Sequence, residues 1–149
     1  FTIAAHYAEF GEPEIKFQAA PPFFIMPCVV PMKRTKELLR TGGRINVEVA
    51  ERIGLIIRSV PADRVLEEAN KLARQLVKVP PPAMELNKKA INHGYDIRGF
   101  ASNIEYCAEI FALTQLSELE ESKAFFAVAA EKGLKAAFKW RDEKFALQE

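Results

Sequence analysis

The sequence predicts an α/β fold in which a few short strands near the N-terminus precede a mostly helical region. Residues 55–60 are rich in β-branched side chains and lie between Gly54 and Pro61, which is typical of a strand. Residues 1–5 form a second short apolar run that is compatible with a buried strand. From residue 62 onward, apolar residues recur three and four positions apart, which predicts amphipathic helices. Because two strands alone do not form a stable sheet, we expect the N-terminal strand to need further partners.

Composition and charge argue against several classes of protein. With 149 residues, of which 49% are hydrophobic and 28% charged, the chain fits one globular domain. The net charge of +1 argues against nucleic acid or an anionic membrane surface as the main partner. The longest apolar run, residues 23–30, is interrupted by Pro27 and is too short to span a membrane. Cys28 and Cys107 are too few for a disulfide framework, and we interpret them as buried thiols in a reducing, cytoplasmic compartment.

The elements between the two predicted strands follow from glycine, proline and capping residues. Residues 10–17 contain both Gly and Pro, which favours an irregular or edge segment. Residues 33–40 form a short helical run that two consecutive glycines end. Asn46 is placed to cap a second short helix over residues 47–53.

The region after residue 61 is predicted to form five helices. The clearest covers residues 62–79 and ends at three consecutive prolines, where the next helix, 83–92, begins; Gly94 is expected to close that helix. The remaining helices are predicted around residues 100–111, over 119–132 with a capping box formed by Ser117 and Glu120, and over 134–145 after Gly133.

Glu12 and Glu14, on either side of Pro13, are the most unusual local feature. The residues around them are largely apolar, and a carboxyl group in such surroundings has a raised pKa, as general acid–base catalysis near neutral pH requires. In an extended segment both carboxyl groups lie on the same side, whereas a kink at Pro13 makes them diverge. The alternative interpretation is an exposed acidic loop without a catalytic role.

The other candidate groups favour structural interpretations. His6 and His93 have no acidic or cysteine partner at metal-ligand spacing, so we interpret both as surface or capping residues and predict no metal site. Cys28 and Cys107 lie in apolar stretches without a neighbouring base, which favours packing over reactivity. Trp140 stands alone among charged residues and is a candidate interface anchor.

Several motifs occur in an order that resembles one protein family. They are FGEPEIKF at residues 10–17, ELLRTGGRI at 37–45, VAERIGLI at 49–56, VPAD at 60–63, KKAIN at 88–92 and EKGLKAAF at 131–138. In this order they resemble the enoyl-CoA hydratase/isomerase (crotonase) superfamily over nearly the whole chain. The resemblance implies the C-terminal half of the ClpP/crotonase-type spiral. Residues 1–61 would form an incomplete part of its core, and residues 62–149 a helical region that covers the site and forms oligomer contacts.

The resemblance also implies a chemistry. In this family two backbone N–H groups hold a thioester carbonyl, and glutamates move a proton at the acyl chain. Glu14 matches one of the family's two glutamates and would act as general acid/base, while Pro21, Pro22 and Phe23 would wall the acyl pocket. No metal or redox cofactor is implied, since coenzyme A arrives with the acyl-CoA substrate. The expected assembly is a trimer or a pair of trimers.

Departures from the family pattern leave alternatives open. The family's other glutamate and both oxyanion-hole segments would precede residue 1, and Pro21-Pro22 replaces a glycine-rich turn, which suggests a tight apolar pocket. The first interpretation is part of an enoyl-CoA hydratase or isomerase. The alternatives are a truncated, non-catalytic oligomerisation subunit, and a relative that hydrolyses thioesters or cleaves C–C bonds.

Overall fold

The computed structural model describes residues 1–17, 25–117 and 119–146. The N-terminal elements, in chain order, are β1 (Ile3–Ala5), β2 (Glu9–Gly11), a 3-10 helix (Pro13–Phe17) that we call the acidic turn, α1 (Met26–Val29), α2 (Met32–Thr41), β3 (Arg44–Asn46), α3 (Val47–Arg52) and β4 (Arg58–Val60). They are followed by a short 3-10 helix (Ala62–Arg64), α4 (Val65–Leu76), α5 (Pro81–Ile97), α6 (Phe100–Leu116), α7 (Glu120–Lys132) and α8 (Leu134–Phe145). The chain is therefore α/β, as predicted.

The strands form two small sheets. β1 pairs in parallel with β4, so the N-terminal strand has a partner within this chain. β2 pairs antiparallel with β3, and Phe10 lies opposite Ile45. The strand predicted over residues 55–60 is confined to its last three residues, because the backbone N–H groups of Leu55 and Ile56 donate to the Ala50 carbonyl. That turn directs Ile56 into the core instead of into a longer strand.

Two adjoining apolar clusters hold these elements together. One contains the buried side chains of Ala4, Val47, Ala50 and Ile56, and the other contains Val30, Leu38 and Ile53. Ile45 and Leu55 pack against both clusters, which links the sheets to α2 and α3. Each fully buried Val, Leu or Ile contributes about 1.5–3 kcal/mol, so these clusters fix the strands that carry the acidic turn.

The predicted glycine end of α2 and the predicted Asn46 cap of α3 are confirmed. Gly42 ends α2 in the left-handed conformation, at a φ of 59°, and its N–H donates to the Leu38 carbonyl over 3.0 Å. The Asn46 side chain caps α3 by accepting a hydrogen bond from the Val49 N–H over 3.1 Å.

The predicted boundaries of three helices are wrong. α5 runs through Gly94 to Ile97, because an exposed glycine with no special backbone conformation is tolerated inside a helix. The predicted capping box does not form: Leu119 is the N-cap residue of α7, and the Ser117 hydroxyl donates to the Thr114 carbonyl at the end of α6. The helix predicted over residues 62–79 begins as a 3-10 turn at Ala62–Arg64, becomes α4 only at Val65 and ends at Leu76, three residues early.

The helices after β4 form three groups with different contacts. α4 lies beside β1, α5 and α6 contact each other, and α7 and α8 contact both each other and the acidic turn. The C-terminal helices thus return to the segment that carries Glu14. Within the described parts of the chain, none of the helices is long and apolar enough to cross a bilayer.

Candidate active site

Glu14 is the second residue of the acidic turn, the 3-10 helix that follows β2. Pro13 is the first residue of this 3-10 helix, where its fixed φ is tolerated, so the chain bends here instead of continuing as a strand. The Oε2 atom of Glu14 is inaccessible to solvent and has no hydrogen-bond partner among the described residues. A fully exposed acidic loop would not leave this oxygen buried, so the segment is not fully exposed, and the catalytic role of Glu14 stays a prediction.

Glu12 and Glu14 meet across the bend. The two side chains are close enough to interact, although a kink at Pro13 was expected to separate them. Burial raises the pKa of the half-buried Glu12 carboxyl, and the neighbouring Glu14 carboxyl raises that pKa further.

A cavity of about 330 Å³ adjoins Glu14. Its walls come from both ends of the chain: Pro13 and Glu14 from the acidic turn, Arg44 from β3, and Phe138, Arg141 and Asp142 from α8. Helix α8 thus completes a cavity that the N-terminal elements begin. The space combines a carboxyl group with apolar and cationic walls, as pockets for small molecules do.

Arg141 is a cavity residue that the sequence analysis did not assign to the site. Its side chain is only 5% exposed, and its Nη2 lies 2.7 Å from Oδ1 of Asp142. Its guanidinium carbon lies 5.1 Å from the centre of the Phe138 ring, so the cation also stacks on an aromatic wall. The one available signal was that Arg141 occupies a position of the apolar stripe of α8, where a charged residue is unusual.

Comparisons with known proteins identify the family. A family model described as "Enoyl-CoA hydratase/isomerase" matches residues 1–141. The chain belongs to the enoyl-CoA hydratase/isomerase family. The predicted resemblance and the crotonase-like fold are confirmed.

Individual relatives of the family show how much of a whole protein this chain represents. It is 31% identical over 145 residues to a probable enoyl-CoA hydratase of Rhizobium meliloti, covering 95% of this chain and 54% of the relative. It is 37% identical over 95 residues to a short-chain-enoyl-CoA hydratase of Clostridioides difficile, covering 62% and 61% of the two chains. A solved enoyl-CoA hydratase/isomerase of Xanthobacter autotrophicus Py2 superposes with a TM-score of 0.92 at 33% identity, covering 99% and 55%. The chain thus spans about half the length of the relatives that it matches along its whole length.

The predicted acyl-pocket residues fall outside the described part of the chain. Pro21, Pro22 and Phe23 lie between the acidic turn and Ile25, and their assignment stays a prediction. A second cavity of about 440 Å³ is lined by Ile25, Cys28, Val29, Asn92, Tyr95, Asp96 and Phe100.

The remaining candidates lie away from Glu14. His6 is exposed after β1, and His93 is exposed on α5, as interpreted from the sequence. Cys107 is buried, which confirms its assignment to packing, whereas Cys28 is only partly buried at the second cavity, so the prediction of a buried thiol at that position is wrong. Trp140 is half-buried beside Lys144, whose Nζ lies 6.0 Å from the ring centre.

Proposed function

We propose that this chain forms part of an enzyme that adds water to, removes water from, or shifts the double bond of an enoyl-CoA thioester. Glu14 acts as the general acid/base that moves a proton at the acyl chain. The observation that carries the proposal is the buried Oε2 atom of Glu14, which has no hydrogen-bond partner among the described residues and lies beside a cavity, in a chain of this family. A carboxyl oxygen kept from water and from protein donors is available to a substrate carbon or to a reacting water.

The walls of the cavity fit the two ends of such a substrate. Phe138 and Pro13 offer apolar contact to an acyl group. Arg44 and Arg141 place positive charge on the same cavity, which suits the polar, anionic remainder of an acyl-CoA. No resident cofactor takes part in this proposal, because coenzyme A enters as part of the substrate, and a cytoplasmic location stays a prediction.

The proposal includes a homo-oligomer, a trimer or a pair of trimers. Large apolar side chains on α5 and α6 are exposed in the single chain: Leu86 66%, Ile97 74%, Leu113 61% and Leu116 78%. An apolar surface of this kind is expected to be buried against another subunit. Helices α5 and α6 are the natural contact elements, since they pack mainly on each other.

The test is Glu14→Gln in the full-length protein, assayed by the loss of absorbance as a short enoyl-CoA is hydrated. We expect turnover to fall by about 10²–10⁴-fold, because glutamine keeps the shape of the side chain but cannot exchange a proton. Glu48→Gln, which neutralises an exposed carboxyl group on α3, is the matched control and should retain wild-type turnover.

Turnover of Glu14→Gln equal to that of Glu48→Gln would remove Glu14 from the mechanism. The same preparation should be assayed for thioester hydrolysis. A wild-type protein that hydrolyses acyl-CoA but does not hydrate enoyl-CoA would assign it to different thioester chemistry. A folded protein inactive in both assays would favour the non-catalytic subunit.

A further inference from the structure

Lys16 joins the acidic turn to the end of α8. Its Nζ lies 5.6 Å from the centre of the Phe145 ring, within the range of a cation–π contact. Among the described residues, this ring is the one partner that the structure gives the Lys16 ammonium group. Phe145 is the last residue of α8 and is 47% exposed, so the contact lies at the edge of the packed region.

The stem of the same side chain packs against the end of α2. A Cβ atom added to Gly42 would lie 3.1 Å from both Cγ and Cε of Lys16, so the stem runs directly over this glycine. Lys16 is half-buried, as expected when methylene groups cover a surface while the ammonium group reaches its edge. One side chain therefore contacts two of the three helices that pack on the acidic turn, α2 and α8.

The Lys16 contact lies beside the candidate active-site cavity. Three residues of α8 recur at three- and four-residue spacing and form one stripe of the helix: Phe138, Arg141 and Phe145. The first two line the cavity. In a 3-10 helix, which has about three residues per turn, Pro13 and Lys16 also share one side. Pro13 lines the cavity, and Lys16 meets the next turn of the α8 stripe, so the acidic turn and α8 are tied together at the end of the cavity wall.

We propose that Lys16 is a positioning residue for Glu14: its contact with the Phe145 ring holds the acidic turn against α8 and thereby fixes where the Glu14 carboxyl group lies in the cavity. This inference rests on the proposed function of Glu14. The two residues are two positions apart in one short 3-10 helix, so a shift of one moves the other. Lys16 is not among the described residues that line the cavity, so it acts through Glu14 and not on the substrate.

The acidic turn needs such a contact because few interactions of its own fix it. It is a 3-10 helix of five residues, a conformation with poorer hydrogen-bond geometry than an α-helix. Oε2 of Glu14 has no hydrogen-bond partner among the described residues that would orient the carboxyl group. A general acid/base must stay within hydrogen-bond reach of the reacting atoms, and a displacement of about 1 Å can lower a rate by about 100-fold. The contact with α8 supplies the positioning that the short helix lacks.

The test removes the charge of Lys16 and the ring of Phe145, separately and together, in the full-length protein. Lys16→Met keeps an apolar stem over Gly42 but loses the ammonium group. We expect Lys16→Met and Phe145→Leu each to lower kcat for a short enoyl-CoA by about 3- to 10-fold, with little change in KM. The double variant should fall no further than either single variant, because both changes break the same contact. Lys16→Arg keeps a cation over the ring and should restore the wild-type kcat.

Lys144→Met is the matched control. The Lys144 ammonium group also lies over an aromatic ring, 6.0 Å from the centre of Trp140. Both residues belong to α8, so this contact does not tie the helix to the acidic turn. We therefore expect Lys144→Met to keep the wild-type kcat, and thermal unfolding of every variant shows whether it is folded.

The outcomes separate the inference from the proposed function. A wild-type kcat in Lys16→Met, losses that multiply in the double variant, or a change confined to KM would overturn the positioning role, while an inactive Glu14→Gln would leave the proposed function standing. Failure of Lys16→Arg to restore kcat would contradict a role for the cation. Wild-type turnover in Glu14→Gln would overturn the proposed function and the inference with it. Phe145→Leu tests the same contact if Lys16→Met does not fold.

Discussion

At the scale of single residues, Arg141 is a charged side chain in a buried position. Its side chain is almost fully buried, and its contacts include the Asp142 carboxylate at 2.7 Å and the Phe138 ring. Asp142 itself is half exposed, so the pair links the buried end of α8 to the surface. A buried cation of this kind costs desolvation, and removing it also removes packing that no other side chain replaces.

Arg141→Ala should therefore lower the free energy of unfolding by about 2–4 kcal/mol, through lost packing and a lost ion pair. Arg34→Ala is the control, because Arg34 pairs with Glu37 on the exposed face of α2 and such pairs contribute at most about 1 kcal/mol. Urea denaturation of the full-length variants measures both changes. Equal losses for the two arginines would show that the burial of Arg141 does not contribute to stability.

At the scale of elements, the end of α2 determines how closely the acidic turn packs. A Cβ atom added to Gly42 would lie 3.0 Å from Cγ2 of Ile15 and 3.1 Å from the side chain of Lys16. Gly42 also has a φ of 59°, where side chains other than glycine are strained. The glycine thus serves two purposes, since it ends the helix and admits the acidic turn against it.

Gly42→Ala should destabilise the protein by about 1–2 kcal/mol, because alanine adds strain at positive φ and a clash with the acidic turn. Gly94→Ala is the matched control. Gly94 lies inside α5 with nothing within 4 Å of an added Cβ, so alanine there should stabilise by about 0.5–1 kcal/mol. Chemical denaturation measures the change in the free energy of unfolding for each variant. A stabilising Gly42→Ala would contradict the close packing of the acidic turn against Gly42.

At the scale of the whole molecule, the two helical hairpins have different surroundings. α7 and α8 return to the acidic turn, and Phe125 between them is only 2% exposed. The α5–α6 pair has no comparable cover, and Cys107 is its one buried residue within the described chain. Among the described residues, exposed large apolar side chains lie on α5 and α6, and also on α4, α7, α8 and the N-terminal elements.

Leu113→Glu should dissociate the proposed oligomer, because it places a charge on an exposed apolar face of α6. The change is measured as a lower mass in analytical ultracentrifugation of the full-length protein. Lys88→Glu, a charge reversal at an exposed position of α5, is the control and should leave the mass unchanged. An unchanged mass for Leu113→Glu would place the interface elsewhere.

Much of the fold could be predicted locally. Neighbouring residues alone predict the helical spacing after residue 61, the Asn46 cap and the glycine end of α2. The structure confirms all three. The extent of α5 and the cap of α7 were predicted wrongly, because Gly94 and Ser117 carry signals that the actual backbone does not use. Such signals are weak preferences that the rest of a helix overrides.

The sequence by itself determined the family and the order of the helices, and it singled out Glu14 as a candidate, since each depends on motifs of neighbouring residues. Only the tertiary structure decided that Glu12 meets Glu14 across a bend, and that Arg44 and Arg141 line the same cavity. Those contacts join residues nearly a hundred positions apart or depend on a kink whose direction packing selects. Short-range patterns contain no information about either.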